Sequence, residues 1–147
     1  MMTSRSDIER IASHIAERFE AVSPGDVESV EALRPLYHPQ VRFTDPVQRT
    51  VGREEFLEAN RRLVQRTRVL SFVIGDRVFS SDQIFLTWTM RLALKLGPKL
   101  TETGVTHLRL RDGLVYEHRD HWDLSAFLMS AIPGGRRIVR AAMKPFL

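Results

Sequence analysis

The strongest constraint on this chain is a change of hydrophobic period near residue 68. Before it, Ile8, Ile11, Ile15, Phe19 and Val22 recur at three- and four-residue steps, which marks one face of an amphipathic helix. Beyond it, residues 69–79, 83–96, 100–111 and 114–122 read with period two and are separated by SSD, GP and DG breaks. Helices first and a run of strands after imply an α+β domain, with the helices packed on one face of a curved antiparallel sheet. Such a sheet closed by helices is a cone with an internal cavity.

Local signals refine that outline. Ser6 and Glu9 have capping-box spacing at the first helix, which SPGD ends. Asp26 can cap a short second helix with Val27, Val30, Leu33 and Leu36 as its stripe, closed by YHP. Val41 to Asp45 reads as a short strand before a Pro46 turn. GREEFLEANRRLVQRT forms a third helix, with its acids early and arginines late as the helix dipole favours. Asp112-Gly113 is a hairpin signal. After Trp122 an apolar stretch is broken by PGG and followed by the basic tail RRIVRAAMKPFL.

Composition removes several classes of function. The chain has 147 residues, a single-domain length, with 22 Lys and Arg against 18 Asp and Glu and no cysteine. A net charge of +4 with acids scattered throughout is no nucleic-acid footprint. Disulfides and thiolate metal sites are excluded. The N-terminal stretch has no apolar core of signal-peptide length and no apolar run approaches a membrane span, so a cytoplasmic location is expected.

The densest chemistry lies in YEHRDHWDL, residues 116–124. Strict alternation puts Tyr116, His118, Asp120 and Trp122 on one face and Glu117, Arg119, His121 and Asp123 on the other. The two histidines then diverge, so no metal site is expected. A carboxylate among aromatic rings is partly desolvated and becomes a better proton acceptor. His118 could share a proton with Asp120 or orient it. Such a pair suits proton transfer beside a carbonyl, or acid-assisted opening of a ring or loss of a hydroxyl. The competing reading is a buried structural hydrogen bond.

Two patches, LYHPQVRFTDPV followed by GREEFLEANRRL (residues 36–63) and DGLVYEHRDHWDLSAF (residues 112–127), resemble the nuclear transport factor 2-like superfamily. The likeness is to its SnoaL-like polyketide cyclases, ketosteroid isomerases and limonene-epoxide hydrolases. It implies one cone-shaped, cystatin-like domain over residues 1–147, with its core at 6–127 and a C-terminal helix or lid at 124–147. Asp45 falls where the isomerases keep their carboxylate base; Arg18 or Phe19 and Thr106 stand where those enzymes keep oxyanion donors. Asp120 falls where the hydrolases and cyclases keep a catalytic aspartate, while Thr87 and Thr89 replace the hydrolases' Arg-x-Asp.

The resemblance therefore implies Asp120, His118 and Asp45 as catalytic residues of an isomerase, cyclase, dehydratase or hydrolase. Tyr116, Trp122, Tyr37, Phe43, Thr87, Thr89 and Thr106 would hold an apolar carbonyl-, epoxide- or hydroxyl-bearing ligand. None of these reactions needs a metal or organic cofactor. If Thr87 and Thr89 line the cavity, Trp88 and Met90 lie on the outer sheet face and would be covered in a homodimer; the reverse register puts Trp88 in the pocket. The rival functions are a non-catalytic carrier and a dimerisation module with a filled cavity. The basic tail reads as a lid or surface helix rather than a membrane contact.

Overall fold

The structure, a computed structural model, describes residues 4–146; residues 1–3, and Leu147 of the tail, lie outside the described residues. Helix α1 (Arg5–Ala21) buries Ile8, Ala12, Ile15, Ala16 and Phe19. Its cap is Ser4 rather than Ser6: the Ser4 hydroxyl accepts the Asp7 N–H at 3.1 Å, while the Ser6 hydroxyl is hydrogen-bonded to that of Ser4. Asp26 caps α2 (Val27–Glu31) as its position suggests, accepting the Ser29 N–H at 3.1 Å.

A 3-10 turn, Arg34–Leu36, leads into β1 (Tyr37–Thr44). The strand therefore starts four residues before Val41, at the YHP segment that local rules place at a helix end. A tight turn connects β1 to β2 (Arg49–Val51), a short strand without a period-two signature of its own. Gly52, with φ of 95°, then opens α3 (Arg53–Arg66), a backbone conformation that glycine adopts without steric cost. The long strands β3 (Thr67–Phe79), β4 (Gln83–Leu94), β5 (Leu100–Arg111) and β6 (Leu114–Trp122) follow. Helices α4 (Leu124–Ala131) and α5 (Gly135–Met143) end the chain.

The six strands form one curved, unclosed sheet in the order β2-β1-β6-β5-β4-β3. It is mixed rather than wholly antiparallel, because β1 runs parallel to β6. That pairing brings a strand from the helical half of the chain beside the last strand, and it places Phe43 opposite His118.

Register decides which side chains reach the core. On β4 the inward face is Ile84, Leu86, Trp88, Met90 and Leu92, all buried. Thr87 and Thr89 face outward, so the register that would make them pocket residues is corrected. The reason is bulk: the helices need a large apolar face to pack against, and the tryptophan side supplies it. Gly104 makes the arrangement possible, standing opposite Trp88 on one flank and Trp122 on the other. A Cβ on Gly104 would collide with the Trp88 ring and stand 2.7 Å from the His121 carbonyl oxygen.

A second correction concerns Tyr116. The β5–β6 ladder slips between Arg109 and Leu110, and Arg109 pairs with Glu117 while Leu110 pairs with Val115. Tyr116 is the extra residue of a β-bulge. Val115 and His118 can both point inward because of it, and Tyr116 turns to the outer face. There the Arg111 guanidinium lies 3.6 Å from its ring centroid and His38 meets it edge-on.

We predict that Gly104→Ala destabilises the fold by about 1–3 kcal/mol, the usual cost of overpacking, measured by denaturant unfolding. An unchanged midpoint would mean that the Trp88 packing is looser than the geometry requires.

Candidate functional site

A hydrogen-bonded row runs across the inner face of four neighbouring strands. From β4, Trp88 Nε1 donates to Thr106 Oγ1 at 2.9 Å. From β5, Thr106 Oγ1 donates to Asp120 Oδ1 on β6 at 2.5 Å. Asp120 Oδ1 also meets His118 Nε2 at 2.8 Å, and His118 Nδ1 meets the Tyr37 hydroxyl of β1 at 2.8 Å.

The proton positions in this row follow from chemistry. An indole N–H can only donate, so the Thr106 oxygen is an acceptor toward Trp88 and its one hydrogen goes to Asp120. Tyr37 is fully buried, and burial first, then the nearby Asp120 charge, push its hydroxyl well above the ordinary value of 10.0. It keeps its proton. The Asp120 carboxylate can only accept, so the neutral imidazole carries its proton on Nε2, aimed at Asp120, and its Nδ1 accepts from the Tyr37 hydroxyl. Oδ1 accepts from both Thr106 and His118, whereas Oδ2 has no hydrogen-bond partner among the described residues.

Four aromatic rings enclose the imidazole: Phe19 at 5.8 Å between centroids, Tyr37 at 5.9 Å, Phe43 at 4.9 Å and Phe56 at 5.6 Å. Only 6% of the His118 side chain is exposed, against 21% for Asp120. The interior at this level is filled by side chains, and the network meets the outside through Asp120.

It does so at a groove of about 750 Å³. β1 stops at Thr44, which pairs with Arg119, whereas β6 continues to Trp122. The edge of β6 is thus uncovered beyond Arg119, and the groove wraps across it. Phe43, His118, Asp120 and Trp122 line it from the inner face, and Arg42, Arg109, Arg119, His107 and His121 from the outer. Thr50 also lines it, with a buried hydroxyl that has no partner among the described residues.

Of the ten residues expected at the site, Asp120, His118, Asp45, Trp122 and Phe43 come together on this groove. Asp45 sits in the β1–β2 turn, where Oδ1 accepts the Val47 and Gln48 N–H groups at 2.7 and 2.8 Å and Oδ2 accepts the Gln48 side-chain amide. Its carboxylate is engaged in building that turn. Trp122 packs edge-on against Phe127 of α4 as a wall. The other five are placed elsewhere. Tyr37 is buried beneath His118, and Thr106 has its hydroxyl spent between Trp88 and Asp120. Tyr116 is turned out by the bulge. Thr87 and Thr89 border a separate hollow on the outer sheet face.

Trp88 is the network residue that sequence reasoning left in doubt. Its alternation with Leu86 and Met90 was the available signal, but the choice of face was not. Among the described residues no three of His, Asp and Glu converge as metal ligands.

A match to the SnoaL-like domain family spans residues 15–118, and the chain belongs to that family. Among solved structures, the fold is similar to one described as a SnoaL-like polyketide cyclase from a Jannaschia species (20% identity, 90% of this chain and 96% of that one covered, TM-score 0.71). It is also similar to a protein with a ketosteroid isomerase-like fold from Catenulispora acidiphila, in complex with trimethylamine (18% identity, 84% and 93% covered, TM-score 0.70). An LEH-like epoxide hydrolase from M. tuberculosis superposes as well (14% identity, 95% and 97% covered, TM-score 0.68). At these identities the likeness shows the fold alone. No curated protein sequence matches the chain. No helix among the described residues is long and apolar enough to cross a membrane.

Two predictions test the network. His118 should be the Nε2–H tautomer, read from its ring ¹⁵N chemical shifts; an Nδ1–H tautomer would reverse the donor order. Raising the Tyr37 pKa favours the folded state while the phenol is protonated, so this contribution is full below about pH 10 and is lost as pH climbs toward the folded-state value. Stability of the native chain should therefore fall on the alkaline side. Tyr37→Phe should flatten that fall while costing about 1–3 kcal/mol at neutral pH, because His118 Nδ1 loses its donor.

Proposed function

We propose that this SnoaL-like protein binds a small molecule in the groove beside β6 and transfers a proton to or from it through Asp120. The observation that carries the reading is the asymmetry of that carboxylate: Oδ1 is fixed by Thr106 and His118, and Oδ2 has no partner among the described residues and borders the groove. A carboxylate held at one oxygen is oriented before substrate arrives, which is what general acid–base catalysis asks of its base. His118 acts as a positioning residue. Its Nε2 proton stabilises the carboxylate, and the Tyr37 hydroxyl keeps that tautomer in place.

The reaction class is an isomerisation, cyclisation, dehydration or hydrolysis of a carbonyl, epoxide or hydroxyl compound. Phe43 and Trp122 would contact the apolar body of the substrate. Proteins of similar fold include one described as a SnoaL-like polyketide cyclase and an LEH-like epoxide hydrolase. The second reading, in which the network only holds the sheet together, draws on the four rings packed around His118. A homodimer through the outer sheet face is a further proposal. Its motive is now the exposed Val73, Val78 and Phe85 rather than Trp88.

Asp120→Asn decides between the first two readings. It keeps the side-chain shape but removes the base. Across a panel of enones, epoxides and polyketide-like substrates it should lower kcat at least about a hundredfold, the lower end of what general acid–base catalysis contributes. Turnover that survives the substitution would end the catalytic assignment.

A further inference from the structure

The outer side of the groove carries an unbalanced charge. Of the three carboxylates on the groove, Glu117 is paired with Arg42, and neither Asp45 nor Asp120 is in an ion pair with an arginine among the described residues. Arg49, Arg109 and Arg119 also line it, all exposed, and none has a carboxylate partner among the described residues. Arg66, Arg91 and Arg111 likewise have no carboxylate partner among the described residues; what sets Arg49, Arg109 and Arg119 apart is that they border one groove.

These residues converge because of the register. His107 on β5 stands opposite Arg119 on β6, which stands opposite Thr44 on β1, which in turn stands opposite Arg49 on β2. Arg109 and His121 lie on the same face, two residues to either side of that row. Neighbouring strands are roughly 4.8 Å apart and same-face neighbours along a strand roughly 7 Å, so Arg119 stands within about 10 Å of both Arg109 and Arg49, and their long side chains can converge on one anionic group beside it. The His107 ring is already held, stacked on Phe85 at 4.2 Å with its Nε2 on Gln83 Oε1 at 2.8 Å.

We propose that this outer half of the groove is an anion-binding site, in which Arg109, Arg119 and Arg49 take a carboxylate or phosphate group on the ligand. Guanidinium groups bind both oxyanions in bidentate fashion. The inference deepens the acid–base reading, since the same groove reaches Asp120. The ligand then has an anionic head on the outer face and a body that crosses the β6 edge toward Phe43, Trp122 and Oδ2 of Asp120. The charge also bears on assembly: a two-fold pairing through this half of the sheet would set arginine against arginine.

His107 gives a local readout. Burial lowers its pKa first, and Arg109, His121 and Arg119 lower it further, with Glu117 alone opposing. A bound anion would offset those cations and raise it.

The test is a titration of the full chain with inorganic phosphate, and separately with acetate, at ionic strength held constant with sodium chloride, following the histidine ring resonances by NMR. Saturable shifts at His107 and His121 with either probe, and an upward move of the His107 titration, are expected. Replacing Arg109 and Arg119 with Gln, both at exposed positions, should weaken binding at least about tenfold, the equivalent of losing one charge-assisted hydrogen bond. Shifts that chloride alone reproduces, or equal binding by the double variant, would overturn the site. The Asp120→Asn protein should still bind the probe. Anion binding without turnover would therefore sink only the acid–base reading, and turnover of neutral substrates without anion binding only this one.

Discussion

His118 occupies a place that suits an imidazole only if both its nitrogens are hydrogen-bonded. It is buried among Phe19, Tyr37, Phe43 and Phe56, and an unpaired polar ring there would cost several kcal/mol. The partners come from either side, Tyr37 on β1 and Asp120 on its own strand. Asp120 in turn needs Thr106, and Thr106 is set by the indole of Trp88. A donor that cannot reverse fixes the direction of the chain at that end, and the acceptor-only Asp120 carboxylate fixes it toward His118, whose Nδ1 then accepts from Tyr37. One-residue slippage of any of the four strands would turn its member to the opposite face and leave its neighbours unpaired. The relay and the sheet register thus require each other.

The same carboxylate is both a structural acceptor and the network's exposed end, because its two oxygens meet different surroundings. Oδ1 faces the row of donors and Oδ2 the groove. The groove itself draws on both faces of one strand. Along β6 the order His118, Arg119, Asp120, His121 sends alternate residues in and out, and an ordinary sheet would keep those two sets apart. Here β1 ends at Thr44, the strand edge is bare beyond it, and both sets border one hollow. A short neighbouring strand is what allows acid–base and cationic groups to serve one ligand.

Much of this was legible in the chain. The limits of β5 and β6 match the period-two segments at 100–111 and 114–122, α3 lies within GREEFLEANRRLVQRT, and Asp26 caps its helix. The inward set His118, Asp120 and Trp122 follows from alternation alone. Tyr116 does not, because a bulge depends on how two strands meet and leaves no mark in either one. On β4 both faces contain side chains able to line a core or a pocket, so periodicity finds the strand without naming its inner side. The short β2 gains its place only by pairing with β1. Arg49, Arg109 and Arg119 are unremarkable in sequence, and it is the pairing of four strands that gathers them.

What the sequence determined by itself is the order and period of its elements, since backbone propensity and apolar spacing act within a few residues. It thereby set which side chains share a strand face. What only the tertiary structure decided is which face became the interior and which distant residues became neighbours. The packing of Trp88 over Gly104 chose the first, and the parallel pairing of β1 with β6 chose the second by bringing Tyr37 and Phe43 to His118. Both depend on contacts between residues far apart in the chain, which local periodicity does not encode.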